Sequence, residues 1–236
     1  MLAPTPVRTD TSRRPAQASR HGVVGNPNLD ACQGDALAQS MRLMGATMSF
    51  ARNSEIFGER EAAEYLYRVI SGSVRSYKIL SDGRRQVGGF YLPGDIFGLE
   101  FADEHTLSAE AVTDAKVLVI RRSAITALSD RDPAIARGLF VLTGRELKRT
   151  QDHVLLLVKS AQERVASFLL EMASRGSSAS SIELPMSRQD IADYLGLTIE
   201  TVSRTLTHLE NAAAIEVPTS RRIVLRDRAA LSRLNV

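Results

Sequence analysis

The amino-acid sequence predicts an α+β protein in which an antiparallel β-roll precedes a long helix and a smaller, mainly helical domain. Three observations predict this fold class. Between about residues 47 and 121, short strand-like runs alternate with glycine-containing turns. From Asp130 to Ser160 a helical period continues without a break. Residues 187–209 then contain two short amphipathic segments separated by Gly196.

The excess positive charge of the chain lies at its N-terminus. The 236 residues carry a formal net charge of +3, and the pI is about 9.2. Residues 1–28 contain four arginines and one aspartate, so the rest of the chain holds 26 residues of each sign. This segment is rich in Pro, Arg, Ser and Thr without a hydrophobic period, which predicts a disordered basic tail. Bulk charge therefore does not by itself indicate nucleic-acid binding.

Several classes of protein are excluded by what the sequence lacks. Cys32 is the only cysteine, which excludes a disulfide framework, a zinc finger or a cysteine-ligated iron–sulfur cluster within one chain. The histidines His21, His105, His153 and His208 show no metal-ligand spacing, and His105 is expected to be a solvated loop residue. Catalytic motifs and a membrane-length apolar run are absent from the sequence. We therefore expect a cytoplasmic protein that is not an enzyme and holds neither metal nor cofactor.

The roll is preceded by a predicted amphipathic helix over residues 35–45, whose apolar positions are Leu37, Met41 and Met44. The predicted strands that follow are Tyr65–Ile70, Ser73–Leu80, Gln86–Leu92, Leu107–Val112 and Ala115–Arg121. Residues 81–83 are predicted to close a hairpin between the second and third of these strands. The last two strands are predicted to pair as a hairpin around residues 113–114.

The long helix is predicted to begin at an aspartate cap, Asp130 or Asp132, with Pro133 in its first turn. Apolar and threonine residues recur along it at alternating spacings of four and three, the pattern of a coiled-coil seam. This seam is predicted to be a dimer interface formed by Phe140, Thr143, Leu147, Thr150, Val154 and Leu157. The alternative is packing on the roll of the same chain, which explains Leu139 and Leu142 but not the length of the seam.

Residues 187–209, SRQDIADYLGLTIETVSRTLTHL, carry the strongest pattern in the chain. After a predicted helix over residues 161–175, Ser187 is predicted to cap one short helix, which ends at Gly196. Thr198 is predicted to cap a second helix with a buried face of Val202, Thr205, Leu206 and Leu209. This spacing is typical of a helix-turn-helix, and the alternative is an ordinary helical hairpin.

The opposite face of the second helix is predicted to read DNA bases through Glu200, Ser203 and Arg204. Arginine is suited to bidentate bonding to guanine O6 and N7, glutamate accepts from cytosine N4, and serine is small enough to approach an adjacent base. The N-terminal end of such a helix enters the major groove. The alternative is a solvent-exposed ion pair between Glu200 and Arg204.

A two-stranded wing is predicted beyond the second helix, with strands over residues 214–218 and 222–226 and a turn at residues 219–221. Its tip carries two arginines that are suited to phosphate contacts. The predicted contacts to the DNA backbone are Ser187, Arg188, Thr198, Thr201, Arg221 and Arg222. Double-stranded DNA is therefore the expected partner.

Three segments resemble the CRP/FNR family of bacterial transcription regulators: LPGDIFG at residues 92–98, QDHVLLLVKSAQERVASFL at residues 151–169 and LPMSRQDIADYLGLTIETVSR at residues 184–204. The last is similar to the FixK branch, which regulates genes of nitrogen fixation and microaerobic respiration. The resemblance implies a cyclic-nucleotide-binding-like roll, a dimerisation helix and a winged helix-turn-helix, acting as a homodimer and mainly as an activator.

The reading residues of the chain resemble the FNR type, because Ile199 stands where a CRP-type reader has arginine. The resemblance therefore implies a TTGAT–ATCAA-like palindrome as the binding site. The predicted parts of the chain are a tail over residues 1–28, a roll over 29–130, a dimerisation helix over 131–160 and a winged helix DNA-binding domain over 161–236.

Two departures from the family bear on control. A single cysteine cannot hold the iron–sulfur cluster of FNR, and Leu107-Ser108 replaces the Arg-Ser pair with which CRP binds cyclic AMP. The resemblance thus implies a roll that binds neither group, and the alternative is a regulator gated by haem or another small molecule. It also implies contact with RNA polymerase through an exposed hairpin tip formed by Asp82, Gly83, Arg84 and Arg85.

Overall fold

The computed structural model describes residues 27–176 and 180–234. Helix α1 (Pro27–Met44) precedes a roll of two four-stranded antiparallel sheets. The strands of the roll are β1 (Ala46–Phe50), β2 (Glu55–Phe57), β3 (Tyr65–Ser71), β4 (Val74–Ile79), β5 (Arg85–Tyr91), β6 (Ile96–Phe97), β7 (Ser108–Ala111) and β8 (Ala115–Arg121). One sheet has the order β1-β8-β3-β6, and the other has the order β2-β7-β4-β5.

Aromatic side chains fill the space between the two sheets. The ring of Phe97 lies 5.1 Å from that of Tyr67 and 5.0 Å from that of Tyr91, measured between centroids. Val74 and Val117 are fully buried around these rings. Each such buried side chain stabilises the fold by about 1.5–3 kcal/mol. The core of a chain without tryptophan is thus built from stacked Tyr and Phe rings with branched aliphatic neighbours.

The five predicted strands of the roll are present, with ends shifted by at most one residue. β4 and β5 pair as the predicted hairpin. The predicted last hairpin is wrong, because β7 pairs with β2 and β4 in one sheet whereas β8 pairs with β1 and β3 in the other. The crossing between the sheets lies next to Gly72, whose φ is +78°. A Cβ at this position would lie 2.2 Å from the carbonyl oxygen of Asp114, so only glycine fits here.

In the N-terminal half the structure adds elements that the sequence did not predict, namely β1, β2, β6 and helix α2 (Arg122–Ser129). In β1 four of the five residues are exposed, so no alternation of polar and apolar residues marks it. α1 starts at Pro27 rather than at residue 35, inside the predicted tail, of which residues 1–26 lie outside the described residues. Leu37 and Met41 are buried as predicted, whereas Met44 is 41% exposed.

Helix α3 covers Pro133–Leu157 and begins as predicted. The Asp132 side chain caps it by accepting a hydrogen bond of 2.8 Å from the backbone N–H of Ala134. Ile135 is buried with α1 and α2, and Leu139 and Leu142 pack against the same cluster. This face of α3 therefore packs within its own chain, as the sequence predicted for Leu139 and Leu142.

After a capping box at Ser160 and Glu163, the chain forms the predicted helix α4 (Ala161–Arg175), in which Val165, Phe168, Leu169 and Met172 are buried. The remaining elements are β9 (Ser181–Glu183), α5 (Arg188–Leu195), α6 (Ile199–Asn211), β10 (Ile215–Glu216), β11 (Arg222–Leu225) and α7 (Arg228–Arg233). The predicted two-stranded wing is incomplete, because β9 pairs with β11 to give a three-stranded sheet of order β10-β11-β9.

The roll and the C-terminal part share a continuous hydrophobic core. Val87 and Phe90 of β5 are buried among side chains of α4 and α5. The Phe90 ring lies 6.3 Å from that of Phe168 in α4 and 5.3 Å from that of Tyr194 in α5. As a consequence, α5 rests directly on one strand of the roll.

Candidate nucleic-acid interface

Local capping interactions define α5, the first helix of the helix-turn-helix. Ser187 Oγ accepts a hydrogen bond of 3.1 Å from the backbone N–H of Asp190, and Asp190 Oδ2 accepts one of 2.9 Å from the backbone N–H of Ser187. Gly196 ends the helix in the left-handed region, at φ +62°. Ala192 is fully buried where the two helices approach each other. The predicted start and the predicted turn are thus both present.

The second helix, α6, presents the predicted reading residues to solvent. Thr198 Oγ1 caps it by accepting a hydrogen bond of 3.2 Å from the backbone N–H of Thr201. Its buried face is formed by Val202, Leu206 and Leu209, with Thr205 half-buried. On the opposite face, the exposed side chains are Glu200, Ser203 and Arg204. The helical period places these three side chains together in the first turns of α6.

The carboxyl group of Glu200 is held in its ionised form. Hydrogen bonds from its own backbone N–H and from the Thr198 hydroxyl lower its pKa, and the charge of Arg204 acts in the same direction. An ionised carboxylate is the acceptor that the cytosine amino group requires. Arg204 donates from Nε to the backbone oxygen of Glu200, 3.4 Å away, and the two side chains form no ion pair.

The predicted backbone contacts lie on three neighbouring segments. Arg221 Nη1 donates to the carbonyl of Pro185 at 3.1 Å, which places the turn of the wing beside the start of α5. Arg222 Nε donates to Ser181 Oγ at 3.2 Å and remains exposed. Arg188 is half-buried; burial lowers its pKa, and its Nη1 makes no hydrogen bond to any described atom.

The roll encloses a cavity of about 220 Å³ next to α3. Its wall is formed mainly by aromatic, hydroxyl and acidic side chains, namely Phe57, Ser76, Tyr91, Phe97, Glu100, Thr106, Leu107, Glu146 and Thr150. No arginine or lysine of the described residues lines this cavity. A phosphate that loses its water shell requires a cation or several donors, and two carboxylates oppose it. The residues present therefore do not fit a cyclic nucleotide.

Comparison with known proteins accounts for both halves of the chain. The cyclic nucleotide-binding domain matches residues 47–132, and the Crp-like helix-turn-helix domain matches residues 163–234. The chain is 48% identical over 233 residues to the nitrogen fixation regulation protein FixK of Azorhizobium caulinodans. This match covers 94% of each of the two chains. It is 42% identical over 180 residues to FixK of Bradyrhizobium diazoefficiens, covering 74% of this chain and 76% of that protein.

The solved structure of FixK2 from Bradyrhizobium japonicum has the same fold, with a TM-score of 0.79 and 49% identity over 82% of this chain and 98% of that chain. The chain belongs to the CRP/FNR family. It is a FixK-type transcription regulator with a DNA-binding helix-turn-helix, as the segment 184–204 predicted. The predicted fold class is confirmed by the same matches.

In this CRP/FNR regulator the predicted dimer seam lies on the outward face of α3. Phe140 is 79% exposed, Leu147 58% and Val154 60%, although all three are large apolar side chains. Thr143 and Thr150 are exposed and donate to carbonyls of their own helix at 2.9 and 3.0 Å. Leu157 differs from the rest of the seam, because it is half-buried.

The predicted polymerase contact is only partly on an exposed tip. Asp82 and Arg84 are exposed and form an ion pair of 2.7 Å with each other. Arg85 is not exposed at the tip; its guanidinium contacts Asp190 at 2.5 Å and Asp193 at 2.7 Å, both on α5. Arg85 is thus not part of the exposed tip, because β5 begins at this residue and its side chain bonds the aspartates of α5. Sequence reasoning had no local signal for a contact between residues so far apart.

His105 is buried in the roll, so the expectation of a solvated residue is wrong. Its ring is 2% exposed and stacks on that of Phe57 at 3.6 Å between centroids. Burial lowers the pKa of the imidazole, and the nearest carboxylate oxygen, Oε1 of Glu100, is 3.7 Å from Nδ1. Backbone hydrogen bonds to Arg60 and Glu61, each 2.8 Å long, hold this loop inside the roll.

Within residues 27–176 and 180–234, His, Cys, Asp and Glu side chains nowhere gather in a group of three that could ligate a metal. The same part of the chain has no helix with both the length and the apolar character needed to cross a membrane.

Proposed function

We propose that this regulator acts as a homodimer, mainly as an activator, on a TTGAT–ATCAA-like palindrome and without a bound ligand. The observation that carries the proposal is the exposed set Glu200, Ser203 and Arg204 at the start of α6. The names of the FixK relatives support control of nitrogen-fixation genes, and we extend the proposal to genes of microaerobic respiration. A cytoplasmic location follows from the DNA partner.

The reading helix is proposed to recognise one G·C pair through both of its strands. Arg204 donates to guanine O6 and N7, and the ionised Glu200 accepts from the amino group of the paired cytosine. Ser203 approaches the neighbouring base. The proposed contacts to phosphates, which fix the register of α6 in the groove, are Ser187, Arg188, Thr198, Thr201, Arg221 and Arg222.

A second copy of the chain is proposed to cover the outward face of α3. The apolar side chains of Phe140, Leu147 and Val154 follow one stripe at coiled-coil spacing and are exposed in the single chain. Pairing of two such helices places two reading helices on one duplex, which is what a palindromic site requires. The hydroxyls of Thr143 and Thr150 weaken the seam, so the dimer is of moderate strength.

Binding without a ligand is proposed because the side chains that line the cavity in the described part of the roll do not fit a cyclic nucleotide. The cavity has an acidic wall and no lining cation among the described residues, and the resemblance to the family implies that Leu107, which lines it, replaces the phosphate-binding arginine. Cys32 is the only cysteine of the chain, which is too few for an iron–sulfur cluster. Contact with RNA polymerase is proposed for Asp82, Gly83 and Arg84 at the exposed tip of the β4–β5 hairpin.

The test is a binding titration with purified protein and no added effector, followed by fluorescence anisotropy of a labelled duplex. We expect saturable binding to the TTGAT–ATCAA duplex and at least about a thousandfold weaker binding to a duplex with both half-sites scrambled. Sedimentation of the complex should give two chains per duplex. A requirement for cyclic AMP, or one chain per duplex, would contradict the proposal.

A further inference from the structure

Five charged side chains of alternating sign connect the roll to α5. Glu110 Oε1 lies 2.9 Å from Arg75 Nη2, and Arg75 Nη1 lies 2.8 Å from Asp190 Oδ1. The same Asp190 Oδ1 is 2.5 Å from Arg85 Nη2, which in turn is 2.7 Å from Asp193 Oδ2. Glu110, Arg75 and Arg85 belong to strands of the roll, whereas both aspartates lie on the first helix of the helix-turn-helix. We call this set the charge clamp.

The centre of the charge clamp is buried. Arg75 is 7% exposed and Asp190 is 4% exposed, so neither charge is solvated and each depends on its partners. Asp190 Oδ1 receives both guanidinium groups, while Oδ2 accepts from the backbone N–H and the hydroxyl of Ser187. The carboxylate that caps α5 is therefore also the carboxylate that the roll holds.

Further contacts fix the same helix at its other end. Gln86 Nε2 donates to the carbonyl of Tyr194 at 3.4 Å, and His153 Nε2 lies 2.8 Å from that same oxygen. The His153 and Tyr194 rings stack at 4.1 Å between centroids. With both ends of α5 held by the roll and α3, the helix has little freedom to rotate against the rest of the chain.

We propose that Arg75 and Arg85 are positioning residues for DNA reading, which act through Asp190 and Asp193 and fix the orientation of α6 without touching DNA. This inference rests on the proposed ligand-free binding, for which it supplies the physical cause. Only Gly196, Leu197 and the cap Thr198 separate α5 from α6, so a rotation of α5 displaces the reading residues. A clamp built from fixed side chains favours the reading orientation at all times, where a ligand would favour it only when bound.

The first test replaces Arg85 with alanine and measures the affinity for the palindromic duplex at several salt concentrations. We expect the dissociation constant to rise by about tenfold or more, because a freed α5 populates the reading orientation only in part. The slope of log affinity against log salt stays at the wild-type value, because Arg85 contacts no phosphate. A direct phosphate contact would instead lower that slope by about 1, which would overturn the proposal.

The matched control is Lys78→Ala in the same hairpin. Lys78 forms an ion pair of 2.8 Å with Glu59, and both residues belong to the roll. We expect this variant to bind DNA with wild-type affinity. Equal losses of affinity in Lys78→Ala and Arg85→Ala would show that any weakened ion pair of the roll has the same effect, and the proposal would fail.

A charge exchange provides the second variant. Arg85→Asp alone places a third carboxylate next to Asp190 and Asp193, and we expect it to weaken binding more than Arg85→Ala does. Adding Asp193→Arg restores the opposite charges across the junction, so binding recovers by at least about threefold. No recovery in a double variant that keeps the wild-type circular dichroism spectrum would contradict the proposal.

Absence of ligand-free binding by the wild type would refute the proposed function instead. Failure of the proposed function and failure of the positioning role are therefore distinguishable.

Discussion

Two regions of this regulator use the same kinds of charged side chain for different purposes. On α6, Glu200 and Arg204 are exposed and share only a hydrogen bond to a backbone oxygen. In the charge clamp, Arg75 and Asp190 are buried and neutralise each other at 2.8 Å. Exposed charged groups without an ion-pair partner are available to a DNA base, whereas buried charged groups that pair with one another fix one element on another.

The largest expected effect lies in the clamp. Asp190→Ala removes the carboxylate half of the capping box of α5 and leaves Arg75 and Arg85 without this acceptor, so we expect the free energy of unfolding to fall by about 3–5 kcal/mol. Urea unfolding followed by circular dichroism measures it. Asp193→Ala is the control with a smaller loss, because Arg85 then retains Asp190. Equal losses for the two aspartates would remove the distinction between the buried and the outer members of the clamp.

The open surface is expected to behave in the opposite way. Arg204→Ala should cost about 1–3 kcal/mol of specific DNA affinity and relax the preference for one base pair. Its free energy of unfolding should remain unchanged, because the side chain is exposed and forms no ion pair. Anisotropy titrations on duplexes with each base pair at that position measure the preference, with an unrelated duplex as control. A variant that keeps the full preference would exclude Arg204 as the reader.

A buried histidine in the roll, His105, differs from both sets of charged side chains because burial favours its neutral form. Burial lowers the pKa of His105 against the opposing effect of Glu100 and Glu61, and Arg122 lowers it further. Just below pH 6.5, the ordinary pKa of histidine, His105 is protonated in the unfolded chain but remains neutral in the folded chain. The free energy of unfolding therefore decreases as the pH falls below 6.5. His105→Phe keeps the stacking on Phe57 and should reduce this dependence.

Melting temperatures between pH 5.5 and 7.5 measure the effect of His105. Part of the dependence should remain in the variant, because burial also lowers the pKa of His153. An identical pH dependence in the wild type and in His105→Phe would show that His105 is protonated equally in the folded and unfolded chains.

The smallest expected effect is that of an ion pair that is complete but exposed. Arg84 bonds Asp82 at 2.7 Å, yet its side chain remains 78% exposed. Because solvent screens such a pair, Arg84→Ala should leave the urea midpoint and the DNA affinity unchanged. The neighbouring Arg85→Ala should lower both. A comparable loss of stability in the two variants would mean that burial does not explain the difference between adjacent arginines.

The helix-turn-helix and the exposed face of α6 were predictable from the sequence because their determinants are local. Ser187, Gly196 and Thr198 each act within three or four residues of chain, and a helical period then assigns the exposed face of α6. The seam of α3 follows from the same period. Both could be located without any knowledge of which strands pair.

The clamp and the sheet order were not predictable, because they join residues that are distant in sequence. Arg85 and Asp190 are 105 positions apart, and no periodicity relates them. β7 and β8 are separated by a short turn that looks like a hairpin, but the chain crosses there from one sheet to the other. His105 was expected to be solvated because the ring of Phe57 that covers it lies in a strand too short to be recognised.

The two sets of hydrogen bonds made by Asp190 limit how the C-terminal domain of this regulator can be joined to another protein. Its two carboxylate oxygens serve different parts of the molecule, and asparagine or serine has only one acceptor oxygen to offer at that position. A chimera that joins residues 161–236 to the sensory half of another regulator would transfer the aspartate without its two arginines. A functional chimera therefore has to include Arg75 and Arg85 as well, because the residues that orient α5 lie on both sides of the domain boundary.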